Sequence, residues 1–234
     1  MALSPTKLGA GLTEVPLQGV NAFLLVDGSG GLVLFDAGFP SSEVAIQRAV
    51  EGLGHKLTHI RHILVSHSHG DHTGALASLK ARTGAMIYMH RMEANLVAKG
   101  RAATHLTAGP GIISRRMHRR LMNIVPPVVT AVETDVLIND GEILPIAGGI
   151  EVIHTPGHTP GHLVFLARKS GAIFLGDAAA NVFGLRPMSS HGEHWQADQS
   201  IRRLARREFD VACFGHGTAI RRGASARFQR RWKA

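Results

Sequence analysis

The chain has 234 residues, of which 44% are hydrophobic, and it carries a formal net charge of +9 at pH 7. It is long enough to bury a core, and no window is apolar enough to predict a helix that spans a membrane. Its single cysteine, Cys213, excludes an internal disulfide bond and is typical of a reducing compartment. Since the first residues also lack the apolar run of a signal peptide, we expect a soluble cytoplasmic protein.

The first half of the chain predicts alternating strands and helices. Two apolar runs on either side of residues 27–30 (DGSG) predict a β-hairpin over 21–40. Apolar residues then recur at helical spacing as far as Leu53, and Gly54 suits the end of that helix. The next predicted elements are a strand over 62–66, a helix over 74–83 and a strand over 85–90.

The second half begins with a different pattern. Residues 91–134 are predicted to form a mostly helical insertion, interrupted by glycine and proline at 109–111 and by two prolines at 126–127. Strands then return over 135–138, 142–144, 150–154, 162–167 and 172–177, followed by a helix over 195–207 and a strand over 210–215. Because the strands come in two groups, each with helices, we expect an α/β fold in which two sheets pack together beneath outer helices. We assign the whole chain, residues 1–234, to a single domain.

The positive charge is concentrated in three segments, 114–121, 201–208 and 221–233. In the second segment, arginines and apolar residues occupy opposite sides at helical spacing, as on a solvated helix face. Aromatic residues make up only 5% of the chain, and none lies among the arginines of the first two segments, where base stacking would require them. We therefore expect no specific nucleic-acid partner.

The hexapeptide HSHGDH, residues 67–72, places three histidines and an aspartate directly after an apolar run. Further histidines and aspartates follow other predicted strands, and strand ends gather at one edge of a sheet. The residues at these strand ends are Asp36, His67, His69, Asp71, His72, His154, His158, Asp177 and His216. Imidazole and carboxylate groups together suit zinc, with iron, manganese and cobalt as alternatives, and this many ligands indicates two divalent ions.

These motifs resemble those of the metallo-β-lactamase superfamily. HSHGDH matches the HxHxDH signature of that family, and the later motifs occur in the same order: His158 in HTPGHTPGH, Asp177 in FLGD and His216 in FGHG. The resemblance extends from about Asn21 to His216. It implies an αββα sandwich, in which two mixed β-sheets pack face to face with helices outside and the metals at one edge.

The resemblance also implies which residues bind the two metal ions. The first ion would be bound by His67, His69 and His158, the second by Asp71, His72 and His216, and Asp177 would bridge the two. Spacing alone does not choose among His154, His158 and His162, whereas the family pattern favours His158.

Other residues near these motifs are expected to support the metal ligands or to shape the loops that carry them. Asp36 is interpreted as a buried carboxylate that holds the histidine loop. His162 is expected to be structural, and His154 is expected to lie at a strand end or in the pocket. Gly70 and Gly74 are expected to permit a tight turn and the close start of the following helix.

The chemistry that the resemblance implies is hydrolysis. Two cations would generate hydroxide from a bridging water molecule and polarise the substrate carbonyl, so no nucleophilic side chain is needed. Asp71 would be the catalytic residue, because it would orient the hydroxide and then pass a proton to the leaving group. The sequence contains no GxSxG motif, which argues against a serine hydrolase.

Differences from the motifs of known subfamilies narrow the range of candidate substrates. The β-lactamases of the superfamily lack the bridging carboxylate, which argues against β-lactams as main substrates. Glyoxalase II-like enzymes have a glycine-rich stretch after this aspartate, which this chain lacks. Acyl-homoserine lactonases have a tyrosine three residues beyond it, where this chain has Ala180. We therefore predict a small-molecule acyl substrate, an ester or a lactone, with a glyoxalase II-like thioester as the alternative.

Two further branches of the same fold are weaker alternatives. A nuclease could use the positive charge, but HTPGHTPGH is typical of the small-molecule branches. An iron-dependent persulfide dioxygenase would use the same ligands for different chemistry. Segments 91–134 and 178–194, which contain methionine, isoleucine, valine and Phe183, are expected to wall the pocket. The sequence leaves the oligomeric state open, with a homodimer as one option.

Overall fold

Strands and helices are layered in the computed structural model, which describes residues 4–9, 11–109 and 111–232. The strands are β1 (Thr6–Gly9), β2 (Leu12–Pro16), β3 (Asn21–Val26), β4 (Leu32–Phe35), β5 (Ile60–Leu64), β6 (Met86–Met89), β7 (Thr107–Ala108), β8 (Val136–Leu137), β9 (Ile143–Leu144), β10 (Ile150–His154), β11 (Leu163–Ala167), β12 (Ala172–Phe174), β13 (Ser190–His191) and β14 (Val211–Cys213). The helices are α1 (Glu43–Gly52), α2 (Gly70–Thr73), α3 (Leu76–Thr83), α4 (Arg91–Val97), α5 (Ile112–Met122), α6 (His194–Leu204) and α7 (Ala224–Arg231).

Two sheets form the centre of the molecule. The first has seven strands in the order β1-β2-β3-β4-β5-β6-β8, antiparallel from β1 to β4 and parallel from β4 to β8. The second has five strands in the order β14-β12-β11-β10-β9, with only β14 and β12 parallel. Parallel neighbours place their carboxyl ends at the same edge, so the loops after β4, β5, β12 and β14 can converge there.

The sheets face each other across an apolar interior. The ring of Phe35 in β4 stacks on that of Phe174 in β12, with 3.5 Å between centroids, and Phe165 in β11 packs beside them. Cys213 of β14 is buried in the same cluster. The central strands are apolar on both sides because each sheet is covered on both faces.

Helices cover the outer faces. Helices α1, α3 and α4 pack on the first sheet through residues such as Ile46 and Leu79. Helices α6 and α7 pack on the second through Ile201, Leu204 and Phe228. The order of layers is helix, sheet, sheet, helix, so the predicted αββα sandwich is confirmed.

The structure differs from the predicted elements in several places. Helices α4 and α5 cover less than half of residues 91–134, so the description of this insertion as mostly helical is wrong. It also contributes β7, which pairs with β13 in a separate two-stranded sheet. Strands β1 and β2 and helix α7 were not predicted. Within the described ranges, every helix is too short or too polar to cross a membrane.

Candidate metal centre

The sequence-predicted ligands all lie at one edge of the sandwich. His67 and His69 follow β5, and the chain then turns into α2, which carries Asp71 and His72. The second sheet supplies the rest: His158 from the loop between β10 and β11, Asp177 after β12, and His216 after β14. The side chains are buried, except for that of His216, which is 13% exposed.

Close packing holds the histidine loop against its neighbours. A Cβ atom on Gly70 would overlap the carbonyl oxygen of Pro126, and one on Gly74 would overlap the backbone of Phe39 and Pro40. Both glycines have ordinary helical backbone angles, since neither has a positive φ. They are therefore required by the close approach of neighbouring backbone rather than by the tight turn that was expected.

Three histidine nitrogens and a carboxylate form the first group. His67 Nε2 lies 2.8 Å from His69 Nδ1, and His158 Nε2 lies 3.0 Å from the same atom. Oδ2 of Asp177 lies 3.2 Å from His158 Nε2. One ligand atom from each of these four residues lies within 4.8 Å of those of the others, a spacing that one cation could satisfy.

A second group lies beside the first. His216 Nε2 is 3.5 Å from Oδ2 of Asp71 and also 3.5 Å from Oδ2 of Asp177. His72 Nε2 is 3.4 Å from the other carboxylate oxygen of Asp177. Asp177 thus faces both groups, the position that a bridging ligand requires.

Asp36 and Ser66 fix the orientation of two of these histidines. The Ser66 backbone N–H and hydroxyl both donate to the Asp36 carboxylate, at 2.8 Å each. Because its own proton is used in this way, the Ser66 hydroxyl accepts from His67 Nδ1 at 2.9 Å. His72 Nδ1 donates to Asp36 at 2.9 Å. The Nε2 lone pairs of both histidines therefore point into the site, and Asp36 holds the loop as predicted.

Backbone carbonyl groups orient two more of the candidate ligand histidines. His158 Nδ1 donates to the carbonyl of Ser190 at 3.0 Å, and His216 Nδ1 donates to that of Gly19 at 2.8 Å. A carbonyl only accepts, so both Nε2 atoms present lone pairs when the rings are neutral. His72 Nε2 and Asp177 Oδ1 are buried and, within the described part of the chain, have only their mutual contact at 3.4 Å. Converging lone pairs and buried acceptors fit divalent cations.

The two groups differ in their electrostatics when no cation is bound. Burial, followed by the nearby imidazole of His158, lowers the pKa of His69 to about 3. Burial also opposes a charge on His216, but the carboxylates of Asp177 and Asp71 raise its pKa to about 10. For Asp71, burial acts to raise the pKa, yet the neighbouring histidines outweigh it and lower the value to about 2. His69 in the first group is therefore neutral, whereas His216 in the second group carries a proton whose charge offsets that of the nearby carboxylates.

The two alternative histidines lie outside the cluster. His162 is buried behind it, where its Nε2 accepts from the Asp177 N–H at 3.0 Å and its Nδ1 contacts the hydroxyl of Thr155 at 2.8 Å. The ring of His154 stacks on that of His90 with 4.7 Å between centroids. The geometry therefore brings His158 to the ligand group and leaves His154 and His162 in other roles.

Glu93 is a supporting residue that sequence reasoning missed. Its side chain is buried at the start of α4, and its carboxylate accepts from the backbone N–H and the hydroxyl of Ser68. The other carboxylate oxygen accepts from the Gly161 N–H at 2.8 Å. Glu93 therefore ties the HSHGDH loop to the HTPGHTPGH loop. Its only signal in the sequence is a carboxylate beside the apolar positions Ala94 and Val97.

The pocket above the cluster is partly apolar. Leu106 and Val125 come from the insertion, and Met188 comes from the 178–194 segment, so both segments line the pocket as expected. Phe183 does not, because its side chain is fully exposed. His118 of α5 also lines the pocket and contacts the Ser190 hydroxyl at 2.9 Å. Its position within a basic segment did not distinguish this histidine as a pocket residue.

Comparison with known proteins agrees with the fold. A family model described as the metallo-beta-lactamase superfamily matches residues 15–216, which is most of the chain. The chain belongs to the metallo-β-lactamase superfamily. The resemblance inferred from the motifs is therefore confirmed.

Curated relatives within this superfamily differ in their names. YobT from Bacillus subtilis is 31% identical over 159 residues, which are 68% of this chain and 61% of YobT. Thioesterase pkgB from Emericella nidulans is 27% identical over 220 residues, 91% of this chain and 50% of pkgB. Hydroxyacylglutathione hydrolase from Rhodospirillum rubrum is 31% identical over 167 residues, 70% of this chain and 51% of that enzyme. The chain thus spans about half to three-fifths of the length of these relatives.

Solved structures of metallo-β-lactamases have the same fold. One from Cronobacter sakazakii with a HARLDQ motif has a TM-score of 0.70 and 25% identity, covering 92% of this chain and 81% of that chain. BJP-1 from Bradyrhizobium japonicum, of subclass B3, has a TM-score of 0.68 and 21% identity, covering 92% of this chain and 78% of that chain. The second likeness concerns the fold alone.

Proposed function

We propose that this chain is a metal-dependent hydrolase that cleaves the acyl bond of a small ester or lactone. The observation that carries the proposal is the pair of ligand groups that share Asp177. We assign His67, His69 and His158 to the first ion, Asp71, His72 and His216 to the second, and Asp177 to both. Divalent cations bound there, with zinc favoured and iron, manganese or cobalt as alternatives, would supply an activated water molecule and polarise the carbonyl.

The side chains of the pocket account for the remaining steps. Asp71 lines the pocket, so its carboxylate can orient the attacking water and carry a proton towards the leaving group. Asp36 and Ser66 hold His67 and His72 in place, so that little reorganisation is required during the reaction. Leu106, Val125 and Met188 would bind an apolar acyl chain and limit the access of bulk water.

A thioester is the second candidate substrate. It is favoured by the names of relatives, which include thioesterase pkgB and the hydroxyacylglutathione hydrolase of Rhodospirillum rubrum. The sequence argues against glutathione itself, because residues 178–184 (AAANVFG) lack the glycine-rich pattern of glyoxalase II-like enzymes. An ester or lactone therefore remains our first proposal. We place the reaction in the cytoplasm and propose no nucleic-acid or membrane partner.

A substrate panel tests the proposal. The purified protein, with its metal content measured, is assayed on simple esters, lactones, a glutathione thioester, an acyl thioester without glutathione, and a β-lactam. We expect the highest kcat/KM on an ester or lactone. The Asp177→Asn variant, prepared in parallel, should be nearly inactive and so exclude a contaminating esterase. A glutathione thioester with kcat/KM higher by about tenfold would overturn the substrate proposal.

A further inference from the structure

A second cleft opens beside the metal centre. It has a volume of about 420 Å³, within the range of sites that bind small organic ligands. Its walls come from the 186–189 segment, from the first turns of α6 and from the end of α7. Ala178, directly after Asp177, lies in one wall, and Met188 lines both this cleft and the metal pocket. A substrate whose reacting carbonyl lies at the metal centre could therefore extend into this cleft.

The cleft carries positive charge from two separate elements. Arg186 lies on the segment after Asp177, and Arg231 lies at the end of α7, where its guanidinium is 5.6 Å from the centroid of the Trp232 ring. Asp198 also lines the cleft, but its carboxylate forms an ion pair with Arg202 at 2.7 Å. Within the described ranges, neither Arg186 nor Arg231 forms an ion pair with a carboxylate. Two guanidinium groups without acidic partners leave the cleft with an excess of positive charge.

The remaining walls combine polar and apolar groups. Ala197 and Ile201 of α6 give an apolar floor. His191 lines the cleft with a side chain that is 4% exposed, and its Nδ1 has no hydrogen-bond partner within the described part of the chain. A buried ring nitrogen without a partner is costly unless a ligand or water molecule bonds to it. The cleft thus suits a ligand with a short apolar stretch and a polar, negatively charged end.

We propose that this cleft binds an anionic group of the substrate, a carboxylate or a phosphate, through Arg186 and Arg231. The inference rests on the proposed function, since it assigns the cleft to the part of an acyl substrate that lies away from the scissile bond. Guanidinium groups bind both anions through paired hydrogen bonds, so the shared chemistry is an oxyanion on a flexible chain. The substrate class is then an acyl ester or thioester with an anionic terminus.

Matched substrates test this inference. Three esters have the same reacting carbonyl and the same leaving oxygen. They differ only in one terminal group, which is a carboxylate, a phosphate or a neutral methyl cap. We expect the preferred anion to lower KM by about tenfold relative to the neutral ester. Arg186→Gln and Arg231→Gln should each remove most of this preference by raising KM, with little change in kcat. The same variants should raise KM for the neutral ester much less than for the anionic ester, and the carboxylate and phosphate esters distinguish the two anions.

Arg230→Gln is the matched control, because Arg230 is a neighbouring exposed arginine of α7 that does not line the cleft. It should retain the preference for the anionic ester. Equal kcat/KM on all three esters would overturn the inference. So would a loss of the preference for the anionic ester in Arg230→Gln as large as in the cleft variants, or an unchanged preference in both Arg186→Gln and Arg231→Gln.

Binding separates this inference from the proposed function. Non-hydrolysable ether analogues of the three esters are titrated into the metal-loaded protein and its variants by calorimetry. Tighter binding of an anionic analogue that is lost in Arg186→Gln supports the cleft, even if no ester is hydrolysed and the proposed function fails. Equal binding of all three analogues overturns the cleft assignment, even if esters are hydrolysed.

Discussion

His158 and His162 lie in one loop, four positions apart, but they contact different groups. His158 directs its Nε2 towards His69 and Asp177, because its other nitrogen is held by the Ser190 carbonyl. Both nitrogens of His162 are already used, one by the Asp177 N–H and one by Thr155. A lone pair is thus available to a metal only on His158.

Replacing these histidines should have different consequences. His158→Ala should remove the first ion and nearly abolish hydrolysis, because one of its three nitrogens is lost. His162→Ala should retain two ions but lower the free energy of unfolding by about 1–3 kcal/mol, since the Asp177 N–H loses its buried partner. Metal analysis and urea unfolding of both variants check this. Loss of metal from His162→Ala with full occupancy in His158→Ala would reverse the assignment.

His216 and Asp71 link the stability of the metal-free protein to pH. The pKa of His216 is raised to about 10, so its contribution is complete below the ordinary value of 6.5 and disappears as the pH rises through about 10. The pKa of Asp71 is lowered to about 2 from 3.8, so its contribution exists above pH 3.8 and disappears as the pH falls through about 2. The two shifts together favour the folded metal-free protein between these limits.

Chelator-treated protein should therefore melt at progressively lower temperature as the pH is raised from 6.5 to 10. His216→Asn removes one titrating group and should reduce this alkaline slope. His72 also contributes to the slope because, against the effect of burial, the carboxylates of Asp177 and Asp36 raise its pKa. Melting curves of the metal-free wild type and of this variant, measured in matched buffers, check the prediction. An alkaline slope of the same size in His216→Asn would assign the effect to other groups.

The elements differ in how far sequence patterns could reveal them. Strands such as β10 and β11 were predictable because they are buried apolar runs bounded by turn residues. β7 and β13 are two residues each and pair across more than eighty positions, so local composition carries no signal for them. Helix α7 was not predicted because its many arginines obscure the helical spacing of its apolar residues. Its apolar contact with the second sheet depends on few residues, chiefly Phe228 and Trp232, which follows the helix.

The candidate metal ligands could be selected from the sequence for a related reason. Each follows a strand, and the family signature gives their order, so motif and topology agree. No motif or strand end marks Glu93, His118 or His191 in the sequence. They lie near the site because of tertiary contacts that the fold creates. Their contacts depend on helix docking and loop packing, which local spacing does not encode.

Phe228 gives α7 a structural role that its charge conceals. Its ring is fully buried and packs between Phe214, Phe209 and Trp232. Phe228→Ala should therefore lower the free energy of unfolding by about 3–5 kcal/mol through lost burial and a new cavity. Arg227→Ala, at an exposed neighbouring position, should change it by less than about 0.5 kcal/mol. Urea unfolding checks both, and equal effects would contradict the packing role.

The whole molecule combines a layered apolar core with a surface on which positive charge exceeds negative charge. The two sheets face each other across one apolar interior, and both supply loops to the same metal edge, so the centre depends on their packing. Much of the net charge of +9 comes from segments 114–121, 201–208 and 221–233. On α6 and after it, Arg202, Arg203 and Arg207 form ion pairs with acidic residues, so part of this charge is neutralised locally.

This arrangement predicts weak nucleic-acid binding that is sensitive to salt. The arginines of α5 (Arg115, Arg116, Arg119 and Arg120) have no phenylalanine, tyrosine or tryptophan beside them within that helix, so they can attract phosphates but lack the usual platform for base stacking. Fluorescence anisotropy should detect binding of a labelled RNA at low ionic strength, and most of it should disappear at physiological salt because released counterions drive such binding. Replacing these four arginines by glutamine should weaken the low-salt binding and leave ester hydrolysis intact. Tight binding at physiological salt, or metal-dependent cleavage of the RNA, would instead favour the nuclease branch of the superfamily.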